Sequence, residues 1–113
     1  MALPPLSTLV TLLRGRLLGG DTPEDRQTPL RGVSIDSRRV QPGDVFIALT
    51  GRLHDGHAFV ATALEAGAAV AVVRRDRLDA LAGEGRGALL VVDDPLEALQ
   101  KLAAWHRQHH ILR

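Results

Sequence analysis

The sequence predicts a small layered α/β domain whose mixed, partly parallel sheet is flanked by helices. In the second half of the chain, short apolar runs typical of buried strands alternate with amphipathic segments typical of helices, an order that favours parallel pairing. The predicted strands span residues 33–35, 45–49, 68–73 and 88–92. A chain of 113 residues suffices for one core, and with only 3% aromatic residues that core must be aliphatic.

A first helix is predicted over residues 7–18, ahead of the alternating region. Ser7 suits an N-cap, and the leucines at positions 9, 12, 13 and 17 fall near one face. The glycine pair at positions 19 and 20 is expected to end this helix. Residues 21–29 are mostly polar and include two prolines, so we expect a surface loop there.

Three further helices are predicted over residues 57–67, 78–82 and 96–109. Gly67 and Gly83 are expected to end the first two, and Asp93-Asp94-Pro95 suits an N-cap followed by proline in the first turn of the third. In the first of these helices, the side chains expected to pack inward are Phe59, Val60, Ala63 and Leu64. In the last helix they are Leu96, Leu99, Leu102, Ala103 and Trp105.

Two polar loops follow consecutive predicted strands and form the candidate site. Asp36-Ser37-Arg38 comes after the strand at 33–35, and Thr50-Gly51-Arg52 and Asp55-Gly56-His57 come after the strand at 45–49. If both strands end at one edge of the sheet, the loops meet where open α/β sheets bind ligands. Hydroxyls, arginines and glycine N–H groups suit an anionic ligand such as a nucleotide or sugar phosphate. Loops at strand ends are polar with or without a ligand, so the residue types alone leave both interpretations open.

Three ordered motifs run in register through residues 32–73. They are D-S-R-x-V-x-P-G-D-V-F-I-A-L-x-G, then D-G-H-x-F-V, then A-x-x-x-G-A-A-x-A-V-V. Together they resemble the N-terminal domain of the Mur ligases, in particular the branches that add the third amino acid or the D-alanyl-D-alanine dipeptide to the peptidoglycan precursor. The tail over residues 91–107, VVDDPLEALQKLAAWHR, is most similar to the dipeptide-adding members.

The resemblance implies a domain that binds the uridine diphosphate end of a UDP-N-acetylmuramoyl-peptide, either the tripeptide or the dipeptide form. The Ser37 hydroxyl is expected to contact uracil or ribose, and Arg52 to bind the diphosphate. The backbone around His57, at a helix N-terminus, is a second candidate for the diphosphate. The substrate-binding residues implied are Ser37, Arg38, Thr50, Gly51, Arg52, Asp55, Gly56 and His57, with no catalytic or metal-binding residue in this chain.

Several of these residues also have an ordinary structural interpretation. Ser37 can cap its own turn, and Arg52 can be merely solvated. Asp36 is expected to brace the first loop through Arg38, because a bare carboxylate repels an anionic ligand. His57 has no nucleophile or acid partner nearby in sequence, so a role as catalytic base is not favoured.

Composition excludes several kinds of site and partner. Without cysteine there is no disulfide or thiolate metal site, and a net charge of +1 gives no field that attracts nucleic acid or a membrane surface. No apolar run approaches the roughly 20 residues that span a bilayer, and the N-terminus lacks the basic region of a signal peptide, so we expect a cytoplasmic protein. A solvated helix end is favoured over a metal site for three histidines that lack a recognised ligand motif: His106, His109 and His110.

The sequence contains no G-x-x-x-x-G-K-[ST] phosphate loop, and its single lysine, Lys101, follows glutamine in a helical pattern. We therefore expect no cofactor in this chain and no catalysis by it alone, with ATP and Mg²⁺ serving the full-length ligase. The resemblance assigns residues 1–113 to one domain: a helix and loop at 1–30, a motif core at 31–73, and a strand and helix at 74–113. The expected partner domains, a central ATP-binding domain and a C-terminal domain, are absent from this chain.

A second function, from another class, stays open at this point. A non-catalytic protein-interaction module can keep this fold without binding nucleotide and dock through its apolar first helix. Self-association or partner capture without any response to UDP would distinguish it. A complete small enzyme is disfavoured, because the sequence shows neither the phosphate loop nor a nucleophile–base arrangement.

Overall fold

The computed structural model describes residues 3–19, 29–52, 54–81 and 87–110. These residues form a mixed sheet with the strand order β1-β5-β4-β3-β2 and helices packed against it. β1 runs antiparallel to β5, and every other pairing is parallel. The strands are β1 (Arg16–Leu18), β2 (Val33–Ser34), β3 (Val45–Ile47), β4 (Val70–Arg74) and β5 (Ala88–Val92). The predicted fold class, a small α/β domain with a mixed, partly parallel sheet, is confirmed.

Helices cover both faces of the sheet. They are α1 (Leu6–Leu13), α2 (Val60–Glu65), α3 (Leu78–Leu81) and α4 (Pro95–His110). Single turns of 3₁₀ helix occupy Ser37–Arg39, Gly56–Phe59 and Arg75–Arg77. Buried residues of α1 and α4 share one apolar cluster, and buried residues of α2 and α3 share another on the opposite face.

Strand side chains divide between these two clusters by simple alternation. Val70 and Val72 of β4 join the cluster of α1 and α4, whereas Ala71 and Val73 join that of α2 and α3. Because both faces of the sheet are covered, its central strands are apolar at nearly every position. The predicted strand at 45–49 is β3, which ends at Ile47, and its three residues are all buried.

The first helix is shorter than predicted. It ends at Leu13 rather than at residue 18, because Arg14 takes a left-handed conformation with φ 53°. The N–H groups of Arg14 and Gly15 then donate to carbonyls of the last helical turn at 3.2 and 3.1 Å. The residues that follow pair with β5 as an edge strand instead of continuing the helix. The N-cap is Pro5, which makes no side-chain capping bond, so the predicted Ser7 cap is wrong.

Helix α4 follows the prediction closely at its start. The Asp94 carboxylate accepts a hydrogen bond from the N–H of Leu96 at 3.0 Å, as an N-cap residue does. Leu96 itself is expected from the sequence to be buried but is 51% exposed, whereas Ala98 and Leu102 of the same helix are buried in the core. Phe59 is likewise 44% exposed, because it lies in a 3₁₀ turn rather than in the α-helix predicted to start at residue 57.

Part of the predicted pattern falls outside the described residues. This holds for residues 21–28 of the predicted surface loop and for Gly83. The side chains of His109 and His110 are also outside the description. Among the residues that are described, no helix has both the length and the apolar character needed to cross a membrane.

Candidate functional site

The candidate site lies at the edge of the sheet where the parallel strands end. β2 and β3 are direct neighbours in the sheet, with Val33 aligned to Val45. Neighbouring strands lie about 4.8 Å apart, so the loops that follow β2 and β3 leave the edge side by side. The tertiary structure therefore brings together the two polar loops that the sequence singled out.

In the first loop, Asp36 acts as the brace. Its carboxylate accepts the backbone N–H of Arg38 at 2.9 Å and both the Nε and Nη2 groups of the Arg38 guanidinium at 3.1 Å. The side-chain hydrogen bond from Arg38 is the main cause that lowers the pKa of Asp36. The expectation that Asp36 braces the loop through Arg38 is confirmed.

Asp36, and not Ser37, caps the turn in the first loop. The capping acceptor of the 3₁₀ turn that starts at Ser37 is the Asp36 carboxylate, and the Ser34 hydroxyl supports it by donating to the Asp36 carbonyl at 2.8 Å. Within the described part of the chain, the Ser37 hydroxyl has no hydrogen-bond partner. It is half-buried at this edge of the sheet.

The second loop folds back on itself as a tight reversal. Thr50 and Asp55 form an isolated antiparallel bridge, and the N–H of Gly51 donates to the carbonyl of His54 at 2.7 Å. Thr50, Gly51, Arg52 and His54 are exposed at its tip. Gly56 closes the reversal because its N–H donates to the carbonyl of Leu49 at 2.8 Å.

His57 is turned into the protein, and both of its ring nitrogens are engaged. The side chain is 4% exposed, and Nε2 accepts the backbone N–H of Arg74 at 2.9 Å. Nε2 must therefore be unprotonated, so Nδ1 carries the proton and donates to Asp55 Oδ1 at 2.8 Å. The backbone N–H of His57 also donates to Asp55 Oδ1, at 3.0 Å. The sequence predicted this N–H as part of a second candidate binding site for the diphosphate, but in the structure it is hydrogen-bonded to the carboxylate of Asp55.

Asp55 receives a further bond, from Arg77. The Nη1 group of Arg77 donates to Asp55 Oδ2, so both carboxylate oxygens are used. Burial by itself raises the pKa of Asp55, but the hydrogen bonds from His57 and Arg77 outweigh burial, and the pKa is lowered overall. Asp55 thus stays ionised while facing the protein.

Residues 74–77, at the end of β4 and directly after it, also bring charged side chains to this edge of the sheet. Arg74 approaches Thr50 through Nη1 at 3.4 Å and binds Asp76 through Nε at 2.6 Å. Arg75 pairs with Asp93, which follows β5, at 2.9 Å. No role was predicted from the sequence for residues 74–77. The available signal was the R-R-D-R pattern directly after a buried strand, which places charges at the same edge as the two loops.

No three His, Cys, Asp or Glu side chains in the described part of the chain come together in a way that could hold a metal ion. His106 lies on α4, where its side chain is half-buried. The ATP and Mg²⁺ that the resemblance implies for a full-length ligase have no matching phosphate loop in this sequence.

Comparison with known proteins assigns the chain to a family. A model described as the Mur ligase family, catalytic domain, matches residues 29–107. This chain belongs to the Mur ligase family. Its fold is that of the N-terminal domain of these ligases: a structure of MurF from Acinetobacter baumannii superposes with a TM-score of 0.73 and 32% identity, covering 96% of this chain and 22% of that chain.

Curated Mur ligases of two branches are similar to this chain. A UDP-N-acetylmuramoyl-tripeptide–D-alanyl-D-alanine ligase of Bacillus subtilis is 38% identical over 103 residues, which are 91% of this chain and 21% of the relative. A UDP-N-acetylmuramoyl-L-alanyl-D-glutamate–2,6-diaminopimelate ligase of Syntrophomonas wolfei is 45% identical over 84 residues, 74% of this chain and 16% of the relative. The chain thus spans about a fifth of the length of these Mur ligases.

Proposed function

We propose that this chain is the substrate-binding domain of an ATP-dependent peptidoglycan-precursor ligase and binds the uridine diphosphate part of a UDP-N-acetylmuramoyl-peptide. The observation that carries the proposal is the pair of polar loops side by side at the carboxyl edge of β2 and β3. The Ser37 hydroxyl has no partner there among the described residues, and Thr50, Gly51 and Arg52 are exposed. Hydroxyls, a glycine backbone and a guanidinium suit the ribose and phosphates of a nucleotide.

Membership of the Mur ligase family supports the substrate class, because the names of the relatives specify UDP-N-acetylmuramoyl peptides. We assign the parent enzyme to the D-alanyl-D-alanine-adding branch. The support for this assignment is that similarity to the Bacillus subtilis member extends over 91% of this chain, against 74% for the diaminopimelate-adding relative. The substrate is then the UDP-N-acetylmuramoyl-tripeptide.

In this proposal the chain itself performs no bond formation. It contributes binding and orientation of the nucleotide end of the substrate, and central and C-terminal ligase domains supply the ATP and Mg²⁺ chemistry in the cytoplasm. The guanidinium of Arg38 is held by Asp36. Arg38 is therefore expected to shape the first loop and to contribute positive charge, and not to bind the ligand through both of its paired N–H groups. Arg52, which is exposed on the second loop, is the better candidate for the diphosphate.

The alternative, a protein-interaction module that docks through its first helix, gains no support from the fold. The apolar residues that would form the docking face are buried in the core: Leu6, Leu9 and Leu13 are 2%, 0% and 5% exposed. The apolar face of helix α1 is thus part of the core of the domain and is not available for docking. We propose no second function.

An amide NMR titration of the 113-residue chain with UDP, and then with the UDP-N-acetylmuramoyl-tripeptide, tests the proposal. We expect shifts at residues 37–39 and 50–57. The variants Ser37→Ala and Arg52→Gln are each expected to weaken UDP binding about three- to tenfold, the range of one hydrogen bond. Arg107→Gln, an exposed change near the far end of α4, is the matched control. Absence of shifts at millimolar UDP in a well-folded spectrum would refute nucleotide binding by this chain.

A further inference from the structure

A chain of contacts ties the second loop to the end of β4. Arg77 binds one oxygen of the Asp55 carboxylate, and the other oxygen accepts both the backbone N–H and the ring Nδ1–H of His57. His57 Nε2 then accepts the backbone N–H of Arg74, the last residue of β4. The loop that starts at Thr50 is therefore anchored at its far end through buried and half-buried polar groups.

We propose that Arg77, Asp55 and His57 form a latch that holds the Thr50–Arg52 tip in its ligand-binding position, so that Arg77 is a positioning residue for the nucleotide. This inference rests on the proposed function. It assigns Asp55 and His57, which the sequence placed among substrate-binding residues, a role behind the site. It also adds Arg77, which lies outside both loops.

The geometry favours positioning over direct contact for two reasons. His57 is 4% exposed and both its ring nitrogens are engaged, so it has no free polar atom to offer a ligand. The Asp55 carboxylate carries negative charge, which repels a diphosphate unless a cation neutralises it, and Arg77 supplies that cation.

The tip itself has few other anchors in the described structure. The N–H of Gly51 donates to His54 and the N–H of Gly56 donates to Leu49, but both bonds join residues of the same loop, so neither ties the tip to β4. The contact between Arg74 Nη1 and Thr50 Oγ1 is long, at 3.4 Å, and joins side chains at an exposed edge. Loss of the Arg77–Asp55 bond is therefore expected to loosen the tip without unfolding the core.

The first test measures the latch without ligand. Amide hydrogen exchange of Arg77→Gln is compared with that of Arg75→Gln, a matched control that breaks the Arg75–Asp93 pair after the same strand. Arg77→Gln is expected to speed exchange of the His57 and Arg74 amides about tenfold, as for loss of one charge-assisted hydrogen bond, and Arg75→Gln to leave both unchanged. Arg77→Lys, which keeps the positive charge but replaces the guanidinium that donates to Asp55 with a differently shaped ammonium group, is expected to be intermediate. Unchanged exchange in Arg77→Gln would overturn the latch.

The second test measures UDP affinity by the same NMR titration. Arg77→Gln and Asp55→Asn are each expected to weaken binding about tenfold, and the double variant to bind no more weakly than either single variant. The reason is that Asp55→Asn alone points an amide N–H₂ at the Arg77 guanidinium, whereas the added Arg77→Gln change supplies an acceptor for that amide. Arg75→Gln is expected to bind like the parent chain.

The two tests separate the latch from the proposed function. If the unaltered chain binds no UDP, the proposed function fails and the positioning role fails with it, while the exchange data still decide whether the latch exists. If the chain binds UDP and Arg77→Gln speeds exchange but leaves affinity unchanged, or if the effects of the two single variants add in the double variant, the positioning role is overturned.

Discussion

The imidazole of His57 accepts a hydrogen bond from the backbone N–H of Arg74 at 2.9 Å, across 17 positions of sequence. This bond joins the loop after β3 to the end of β4. It uses a nitrogen that a ligand or a metal ion would otherwise need, and through the second nitrogen the ring fixes Asp55 in place. A histidine that looks like a binding residue in the sequence thus acts as part of the frame behind the site.

Replacing His57 tests this structural role. His57→Ala removes the ring donor to Asp55 and leaves the Arg74 N–H without an acceptor, so we expect the free energy of unfolding to fall by about 2–3 kcal/mol. His57→Gln keeps an acceptor for Arg74 and is expected to lose less. His54→Ala, at an exposed position of the same loop, serves as control and is expected to change stability by less than about 0.5 kcal/mol. Urea unfolding followed by circular dichroism measures all three.

Two glycines of the second loop are expected to respond differently to alanine. A Cβ on Gly56 would lie 2.9 Å from the backbone nitrogen of Leu49 and 3.0 Å from the Cα of Ala48, so the backbone must shift. Gly56→Ala is expected to lower stability by about 1–3 kcal/mol. A Cβ on Gly51 would meet only the His54 carbonyl, at an ordinary 3.4 Å. Equal loss of stability in both variants, by thermal or urea unfolding, would contradict this account.

The end of α1 gives a stabilising prediction. Arg14 adopts φ 53°, a conformation that costs a side-chain-bearing residue about 1 kcal/mol more than glycine. Arg14→Gly is expected to raise the free energy of unfolding by about 0.5–1 kcal/mol, part of the gain being lost to the greater freedom of glycine in the unfolded chain. The control, Arg16→Gly, places glycine within β1 and is expected to be destabilising. Urea unfolding compares the two, and a loss of stability in Arg14→Gly would contradict the left-handed conformation of Arg14.

The lowered pKa of Asp55 predicts a pH dependence of stability. The bonds from His57 and Arg77 hold this pKa below its unfolded value of about 3.9. Its contribution to stability is therefore complete above the unfolded pKa and is lost as the pH falls through the lower folded pKa.

The stability difference between the parent chain and Asp55→Asn should therefore be constant from about pH 5 to pH 7 and shrink toward about pH 2. Urea unfolding across this range measures the difference, with Asp79→Asn as a control for the loss of a carboxylate that has no part in the latch. A difference independent of pH over the whole range would contradict the role given to Asp55.

Local patterns determined much of the fold correctly. The strand at Ala88–Val92 has the limits that the sequence predicts, since a continuous apolar run bounded by a glycine turn and an Asp-Asp-Pro cap leaves little choice. Helix α4 begins where its cap predicts. The failures lie where local signals competed with pairing to a distant strand. Leu17 lies at helical spacing from Leu13, yet residues 16–18 pair with β5.

In the candidate site, too, local features were predictable from the sequence and long-range contacts were not. Sequence alone identified the two polar loops, the brace between Asp36 and Arg38, and the resemblance to Mur ligases, because these depend on residue types and on neighbours within a few positions. Only the tertiary structure decided which loop residues point outward and which inward. His57, Asp55 and Arg77 come together because β3 and β4 are parallel neighbours, and no periodicity in the chain records a contact across 22 positions.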